Sequence, residues 1–251
     1  MKLEVLGCHG GELPKHKTTC FLFDDVLAVD AGALCSTLTL ERLSLVDDVL
    51  VSHSHFDHVK DLPLMADLLV GRRDKPVTIH CSFECARTLR ANMFNDELWP
   101  DFTRIPTRKE PVLKLKAFRA GSSFEVGEYK VRSVPVSHPV ESCGFVITRG
   151  GATVAISGDT GPTQKLWQVL NDLPELKAVL VETSFPNKLQ QLADISGHLT
   201  PHTLQGELAK LNRNGASVLL YHLKPAFVTQ VKEELRGLPV EVLELGDVFE
   251  F

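Results

Sequence analysis

The segment VLVSHSHFDHVKDLP, at positions 49–63, constrains this chain more than any other. An apolar run that is typical of a buried strand is followed within six positions by His53, His55, Asp57 and His58. Such crowding of polar groups beside a core costs free energy unless the groups are bound. His53 and His55 can face the same side of an extended segment, and the other two follow where the chain bends towards a helix. The spacing therefore supplies two pairs of metal ligands.

Four further apolar runs each end in a side chain that can bind a metal or move a proton. In layered α/β folds such strand ends often meet at one edge of the sheets, where function is concentrated. We therefore expect all five strand ends to converge. The four residues are His138 after VRSVPVS, Asp159 after TVAISG, Glu182 after AVLV and His222 after SVLLY.

Histidine and carboxylate side chains suit Zn²⁺, and also Fe or Mn²⁺. A lone histidine such as His138 is more often a hydrogen-bonded structural residue, whereas the H-x-H-x-D-H set is much more specific. We expect two divalent cations, with Zn²⁺ as the first choice. The expected ligand sets are His53, His55 and His138 on one ion and Asp57, His58 and His222 on the other, with Asp159 bridging both.

Two adjacent cations predict hydrolysis. A bound dication lowers the pKa of water from 15.7 to about 7, so hydroxide is available at neutral pH. Such a pair can hold the hydroxide between the ions and neutralise charge that grows on a phosphoryl or acyl oxygen. A metal-binding protein without catalysis is the disfavoured alternative, because the ligand set leaves bridging positions for water.

The distribution of apolar runs predicts an α/β fold with two sheets and helices outside them. Helical patterns fall at about 59–70, 83–93, 163–171, 201–212 and 226–236. Linkers, repeats and low-complexity tracts are absent from the sequence, so one domain over 1–251 is expected, with an irregular excursion at about 71–116.

Charge and hydropathy narrow the function classes. The chain has 27 Lys and Arg against 32 Asp and Glu, a formal charge of -5. Nucleic acid is therefore an unlikely partner, and a small molecule is the expected substrate. No apolar run approaches the roughly 18 residues that a membrane span needs, and the first residues lack a signal-peptide pattern. The expected location is the cytoplasm, where the six cysteines would stay reduced.

The motif from His53 to His58 resembles the signature of the metallo-β-lactamase superfamily. That resemblance implies a four-layer αββα sandwich, a dinuclear metal site, and His138, Asp159 and His222 as the remaining ligands. An oxygen-reducing di-iron protein of this superfamily would be expected to carry Glu in place of His55, so that branch does not fit.

Within the superfamily the chain looks closer to the class II cyclic-nucleotide phosphodiesterases. Phe56 stands where the family usually has Leu, which we expect to be harmless packing. Asp61 stands where a small residue is expected, and we interpret it as a solvated side chain at a helix start. The segments that carry the resemblance are LGCHGGE (6–12), TTCFLF, VDAGAL, NDELWPDFTRIP (95–106), VETSFPN (181–187) and SGHLTP (196–201).

This resemblance implies hydrolysis of 3',5'-cyclic nucleotides, cAMP and/or cGMP, to 5'-nucleotides through a metal-bridging hydroxide. His198 is the candidate that protonates the departing 3' oxygen, since an alkoxide is a poor leaving group. Glu182 could orient its imidazole, as in related phosphodiesterases. Structural alternatives are a helix-cap role for His198 and a buried salt bridge for Glu182. We expect Asp57 to take part in catalysis as well as to bind metal.

Substrate-binding residues are harder to place. His9, Thr18 and Thr19 could put backbone N–H groups and hydroxyls near the phosphate, although glycine-rich junctions are as often plain turns. Asn95 and Trp99 lie in the excursion, which either covers the site and stacks on a purine or packs against a second subunit in a homodimer.

Two other hydrolytic functions compete. One is a tRNA 3'-end-processing-type endoribonuclease, which would share the metal set and the Glu/His pair but needs a basic arm that this acidic chain lacks. The other is a carbon-ester or thioester hydrolase of the same superfamily.

Overall fold

The computed structural model describes residues 1–212 and 215–251, and in these residues the strands form two sheets of seven. The first sheet has the spatial order β14-β1-β2-β3-β4-β5-β6, in which β3 to β6 are parallel neighbours. Its strands are β1 (Lys2–Gly7), β2 (Cys20–Phe23), β3 (Leu27–Val29), β4 (Asp48–Leu50), β5 (Val77–Ser82), β6 (Leu113–Phe118) and β14 (Val248–Glu250).

The second sheet has the spatial order β13-β12-β11-β10-β9-β8-β7, and β10 to β13 run parallel. Its strands are β7 (Ser123–Val126), β8 (Tyr129–Pro135), β9 (Cys143–Arg149), β10 (Ala152–Ile156), β11 (Leu176–Glu182), β12 (Ser217–Tyr221) and β13 (Glu241–Val242).

Helices cover the outer face of each sheet. Short 3₁₀ turns at Asn187–Leu189 and Pro225–Phe227 lead into two of them. In the described residues the helices are α1 (Leu34–Thr37), α2 (Leu40–Leu43), α3 (Phe56–Val59), α4 (Asp61–Leu69), α5 (Phe83–Asn92), α6 (Lys165–Asn171), α7 (Gln190–Ser196), α8 (Pro201–Leu208) and α9 (Val228–Glu234).

Three hydrophobic clusters join these layers. The central cluster lies between the sheets and includes Phe21 from β2 and Phe145 from β9. An outer cluster joins the first sheet to α4 and α5, for example through Met65 and Leu89. The other joins the second sheet to α6, α8 and α9, with Trp167 at its centre. Because each sheet is apolar on both faces, it must be covered twice, and the predicted four-layer α/β sandwich is confirmed.

The predicted helix boundaries agree broadly with the structure, with one informative difference. The helix expected over 59–70 begins earlier and is divided at Lys60 into α3 and α4. Asp57 and His58 consequently lie on the first helical turn rather than before it. The helices over 34–37, 40–43 and 190–196, and the strands β6, β7 and β14, were not among the predicted elements.

The segment expected to be irregular, 71–116, is more regular than predicted. Strand β5 pairs on both sides, with β4 and with β6, and α5 follows it directly. Within it, 71–76 and 93–112 lie outside helices and strands. Charged and apolar residues alternate in LKLKAF, so β6 lacks the continuous apolar run on which the strand predictions depended, although such alternation is itself typical of a half-buried strand. No helix in the described part of the chain is long and apolar enough to cross a membrane.

Candidate metal centre

The metal-binding motif leaves β4 at the edge between the two sheets. Strand β4 ends at Leu50, His55 is extended, and α3 begins at Phe56. The loop packs tightly on the segment that follows β3, since a Cβ on Gly32 would lie 2.3 Å from the carbonyl oxygen of Asp57. Only glycine fits at that position, so VDAGAL holds the motif in place.

The structure brings together all seven residues that the sequence suggested as metal ligands. Their donor atoms fall into overlapping groups in which all members lie within 4.8 Å of one another. Two of these groups match the two expected ligand sets, and Asp159 lies in two other groups that link them. The groups are His53, His55 and His138; Asp57, His58 and His222; His53, His58 and Asp159; and Asp159, His198 and His222.

Asp159 occupies the middle of the cluster. Its Oδ2 lies 3.2 Å from Nε2 of His58 and 3.2 Å from Nε2 of His222. The same oxygen lies 3.8 Å from Nε2 of His53. Asp57 contributes from the other side, with 3.3 Å between its Oδ2 and Nε2 of His222. A carboxylate that reaches three imidazoles from two sheets is well placed to bridge two cations.

Four of the histidines are held through Nδ1, so that Nε2 faces the cluster. The ring nitrogen Nδ1 of His138 donates to the carbonyl of Gly197 at 2.9 Å. The other three contacts join His53 to Ser52 at 3.0 Å, His58 to Asp30 at 2.7 Å and His222 to Ser184 at 2.8 Å. Partners of this kind fix the orientation of metal-ligating histidines in known metalloproteins.

Several polar atoms of the cluster have no hydrogen-bond partner among the described residues. They are Nε2 of His53, Nε2 of His58, Nε2 of His222 and Oδ1 of Asp159. Buried polar atoms are normally satisfied, because leaving one unpaired costs about 1–3 kcal/mol. These atoms converge, and all are ligand types that divalent transition metals prefer. The residues therefore fit a metal site.

Burial and mutual repulsion set the charge of the first ligand group. Burial, and then the neighbouring His58, hold the pKa of His53 well below its usual value. Burial likewise lowers the pKa of His55 and His138. These imidazoles are therefore neutral at pH 7 and present a lone pair. Burial raises the pKa of Asp159, but His222 and His58 outweigh it and keep the carboxylate ionised.

His58 behaves differently from the other ligands. Burial lowers its pKa, but the carboxylates of Asp159 and Asp30 outweigh burial and raise the pKa well above the usual value. One carboxylate charge lies near each ring nitrogen, with Asp30 at 2.7 Å from Nδ1 and Asp159 at 3.2 Å from Nε2, and these charges favour the protonated imidazole in the absence of a cation. Metal binding at His58 must therefore displace a proton.

Glu182 and His198 lie beside the cluster and form the pair expected from the sequence. Nδ1 of His198 donates to Oε1 of Glu182 at 2.9 Å, and both residues are buried. Burial lowers the pKa of His198, but the charge and hydrogen bond of Glu182 outweigh it and raise the pKa above the usual value. The ring stacks on His222 with 5.2 Å between the ring centroids, which places His198 at the cluster.

Ser184 connects this pair to the metal ligands and was not singled out from the sequence. Its hydroxyl donates to Oε2 of Glu182 at 3.1 Å and also lies 3.2 Å from Nδ1 of His198. The same oxygen lies 2.8 Å from Nδ1 of His222. Asp30 was also missed, although it follows strand β3 as the other candidates follow theirs. That strand-end position was the available signal for Asp30, whereas a serine two residues beyond a strand gives none.

His222 has an unusual backbone conformation. Its φ is 68°, in the left-handed region that residues other than glycine rarely adopt. The N–H of His222 donates to the carbonyl of Cys8 at 2.7 Å, and Gly10 packs on its other side. A Cβ on Gly10 would lie 2.6 Å from the His222 carbonyl oxygen. The GCHGG segment thus supports a ligand loop.

The predicted substrate-binding residues near the N-terminus lie beside this loop. The Thr18 hydroxyl donates to the carbonyl of Gly32 at 2.6 Å, so it is used inside the fold. The Thr19 hydroxyl is buried without a partner among the described residues. His9 stands edge-on to His16, with a ring centroid distance of 4.6 Å, and burial lowers its pKa to about 4. No hydrogen bond or ion pair joins these three side chains to the seven clustered residues in the described part of the chain, although His222 also lowers the pKa of His9.

The other two predicted substrate-binding residues lie in the loop after α5. The side-chain oxygen of Asn95 accepts from the backbone N–H groups of Glu97 and Leu98, so Asn95 shapes a turn. Trp99 is half-buried against the outer cluster of the first sheet. The structure does not bring either side chain into the metal cluster.

The two departures from the family pattern differ from expectation. Phe56 is 67% exposed, so it is not packed into the fold but projects from the metal-binding loop. Asp61 is buried rather than solvated. Its carboxylate accepts from the N–H of Cys35 at 2.8 Å and pairs with Lys60 at 2.8 Å. Asp61 therefore fastens α4 to α1, because the hydrogen bonds offset the cost of its burial.

Comparison with known proteins identifies relatives over most of the chain. The beta-lactamase superfamily domain model matches residues 21–222. The chain is 28% identical over 227 residues to a Yersinia pestis protein named "Probable 3',5'-cyclic-nucleotide phosphodiesterase". It is 28% identical over 250 residues to 3',5'-cyclic-nucleotide phosphodiesterase 1 of Saccharomyces cerevisiae. These matches involve 80% and 84% of this chain but span only 63% and 66% of the relatives.

Among solved structures, unliganded yeast PDE1 is similar with a TM-score of 0.82. The match covers 100% of this chain and 99% of that one at 22% identity. At that identity the likeness concerns the fold alone.

Proposed function

The chain belongs to the beta-lactamase superfamily, and from that premise we propose that it is a metal-dependent phosphodiesterase that hydrolyses 3',5'-cyclic nucleotides, cAMP and/or cGMP, to 5'-nucleotides. The observation that carries the proposal is the Glu182–His198 hydrogen bond of 2.9 Å beside a seven-residue His/Asp cluster. The names of the two curated relatives support the substrate class.

The cluster would hold two divalent cations, with Zn²⁺ as the first choice and Mn²⁺ or Fe as alternatives. His53, His55 and His138 would hold one, and Asp57, His58 and His222 the other, with Asp159 between them. When bound, the cations would supply a nucleophile from water near neutral pH and neutralise charge on the phosphoryl oxygens.

Asp57 has a second role in the proposal. It is the most exposed carboxylate of the cluster, with 27% of its side chain accessible. Burial raises its pKa, but the close contact with His222 and the charges of His58 and His222 lower it below the usual value. The ionised oxygen can accept a hydrogen bond from the attacking water and so direct the water towards phosphorus.

His198 protonates the departing 3' oxygen. Because Glu182 holds Nδ1, the other ring nitrogen is the one that can meet the substrate. The raised pKa increases the protonated fraction of the imidazole near neutral pH, which favours a general acid. Glu182 acts through His198: it orients the ring and stabilises its positive charge.

The reaction is tested by product analysis. Zinc-loaded protein is incubated with 3',5'-cAMP, 3',5'-cGMP, 2',3'-cAMP and a precursor tRNA, and the products are separated by chromatography. We expect 5'-AMP or 5'-GMP from the 3',5'-cyclic substrates. Exclusive formation of 3'-AMP, or cleavage of the tRNA alone, would overturn the proposal. Protein treated with a chelator serves as the control for metal dependence.

A further inference from the structure

We propose that Lys224 is a substrate-positioning residue whose ammonium binds a phosphate oxygen of the substrate beside His198. The inference rests on the proposed phosphodiesterase function for the identity of the substrate. It concerns a residue that the ligand sets and the Glu182–His198 pair leave unused.

The backbone of Lys224 is anchored in the centre of the site. The residue lies two positions after His222, and its N–H donates to the carbonyl of Ser184 at 3.2 Å. The hydroxyl of the same serine contacts Glu182, His198 and His222. One short segment thus fixes the start of the lysine side chain relative to both the proposed acid and a proposed ligand.

An aromatic ring directs the side chain of Lys224. Its Nζ lies 5.9 Å from the centroid of the Phe185 ring. Phe185 is only 8% exposed and meets His198 edge-on, at 5.7 Å between ring centroids. The ring of Phe227 also contacts Phe185, at 6.4 Å between ring centroids. The aliphatic stem of a lysine can cover such a ring while its charge stays accessible, and the Phe185 ring thus contacts both the Lys224 ammonium and His198.

The ammonium of Lys224 has no acidic partner. In residues 1–212 and 215–251, no carboxylate oxygen lies within 4.0 Å of Nζ, the limit that defines the other ion pairs. By contrast, Lys60 and Lys210 each pair with a carboxylate at less than 3 Å. Lys224 is half-buried, so it is a partly desolvated cation without a counter-charge from the described residues.

The charge is close enough to act on the reacting groups. The pKa of His198 is lowered by burial and by Lys224, and raised more strongly by Glu182. A phosphodiester is anionic, and its charge grows on the phosphoryl and leaving oxygens in the transition state. Lysine binds phosphate oxygens as a point charge. A substrate whose leaving oxygen meets His198 would present such an oxygen to Nζ.

The competing explanation is that Lys224 only covers Phe185 through a cation–π contact. This role predicts that loss of the lysine lowers thermal stability and leaves phosphate affinity unchanged. The proposed role predicts that loss of the lysine weakens phosphate affinity and leaves thermal stability unchanged, so an experiment can distinguish the two roles.

The test compares K224M and K224R with K188M as the matched control, since Lys188 is exposed and lies in the turn after Phe185 and Pro186. We expect K224M to raise KM for 3',5'-cAMP. The inhibition constant for inorganic phosphate should also rise, by about tenfold or more, which is the scale of a charged hydrogen bond. K224R should recover much of the loss, and K188M should match the wild type. Zinc content and Tm of all variants should be unchanged.

Calorimetric titration of the zinc-loaded protein with inorganic phosphate separates this inference from the proposed function. If no cyclic nucleotide is hydrolysed, the phosphodiesterase proposal fails, but a weaker phosphate affinity of K224M would still support the role of Lys224. Equal phosphate affinity of K224M and wild type would overturn that role, as would a loss of zinc or a lower Tm that accounts for the weaker binding.

Discussion

Oδ2 of Asp30 lies 2.7 Å from Nδ1 of His58, and both side chains are buried. The other carboxylate oxygen accepts from the N–H of Ser52 at 2.8 Å, at the entrance to the metal-binding motif. Asp30 therefore orients His58 and fixes the loop that also carries His53, His55 and Asp57, although it is not itself among the ligand groups.

Replacement of Asp30 should weaken metal binding without removing a ligand. D30N preserves the size of the side chain but loses the charge that holds the His58 ring. We expect the zinc affinity to fall by about 10- to 100-fold, as is usual for partners of metal-ligating histidines. Competition with a chromophoric chelator measures the change. D48N is the control, because Asp48 pairs with His80 at 2.7 Å at the other end of β4. Equal zinc affinities for D30N and D48N would contradict the assignment.

Removal of the proposed general acid should affect turnover alone. H198A is expected to lower kcat by about 10²-fold or more, since this is the usual contribution of a positioned acid. Zinc content should be preserved, because His53, His55, His58, His138 and His222 are intact. H202A, an exposed histidine in α8, is the control. An H198A enzyme with the kcat of the wild type would exclude His198 from the mechanism.

The charge of Glu182 should set the alkaline limit of activity. The acid must be protonated, so kcat falls as the pH rises through the pKa of His198. Burial lowers that pKa and Glu182 raises it, so E182Q should move the alkaline limb of the kcat–pH profile to lower pH. The profile is measured with zinc content monitored at each pH. A limb that stays in place would show that another group controls it.

Metal affinity should fall as the pH is lowered. In the metal-free protein, burial lowers the pKa of His58 but Asp159 and Asp30 raise it more, so a proton must leave when a cation binds. Titration calorimetry in buffers with different ionisation enthalpies should detect this release. Zinc dissociation constants measured across the same pH series should increase towards acid. A pH-independent affinity would contradict a ligand role for His58.

The role of Trp99 as a stacking platform remains a prediction. Half-buried packing against the first sheet leaves part of its ring accessible. If the accessible face stacks on a purine, W99A should raise KM for 3',5'-cAMP by about tenfold, the scale of base–aromatic stacking, with kcat little changed. Steady-state kinetics supply the measurement, and L98A, at an exposed neighbour, supplies the control. A W99A variant with the wild-type KM would remove Trp99 from recognition.

Short sequence patterns predicted much of the fold and of the candidate site. Apolar runs that end in His53, Asp159, Glu182 and His222 predicted strands that meet at one edge, because buried parallel strands are continuously apolar and their functional groups follow at the ends. The close spacing of the motif residues, all within six positions, predicted that they act together as ligands. Edge strands such as β6 and β7 escaped prediction, since their alternating polar residues carry little of that signal.

Only the tertiary structure decided what supports those groups. Ser184 contacts three residues that are distant in sequence, Asp61 is buried against α1 instead of lying in solvent, and Phe56 projects from the loop. Lys224 acquires its position from Phe185, 39 positions earlier in the chain. The sequence determined which side chains carry the chemistry, because that information resides in residue type and short spacing. Their mutual orientation, burial and charge came from packing between the two sheets, which depends on contacts that no local stretch encodes.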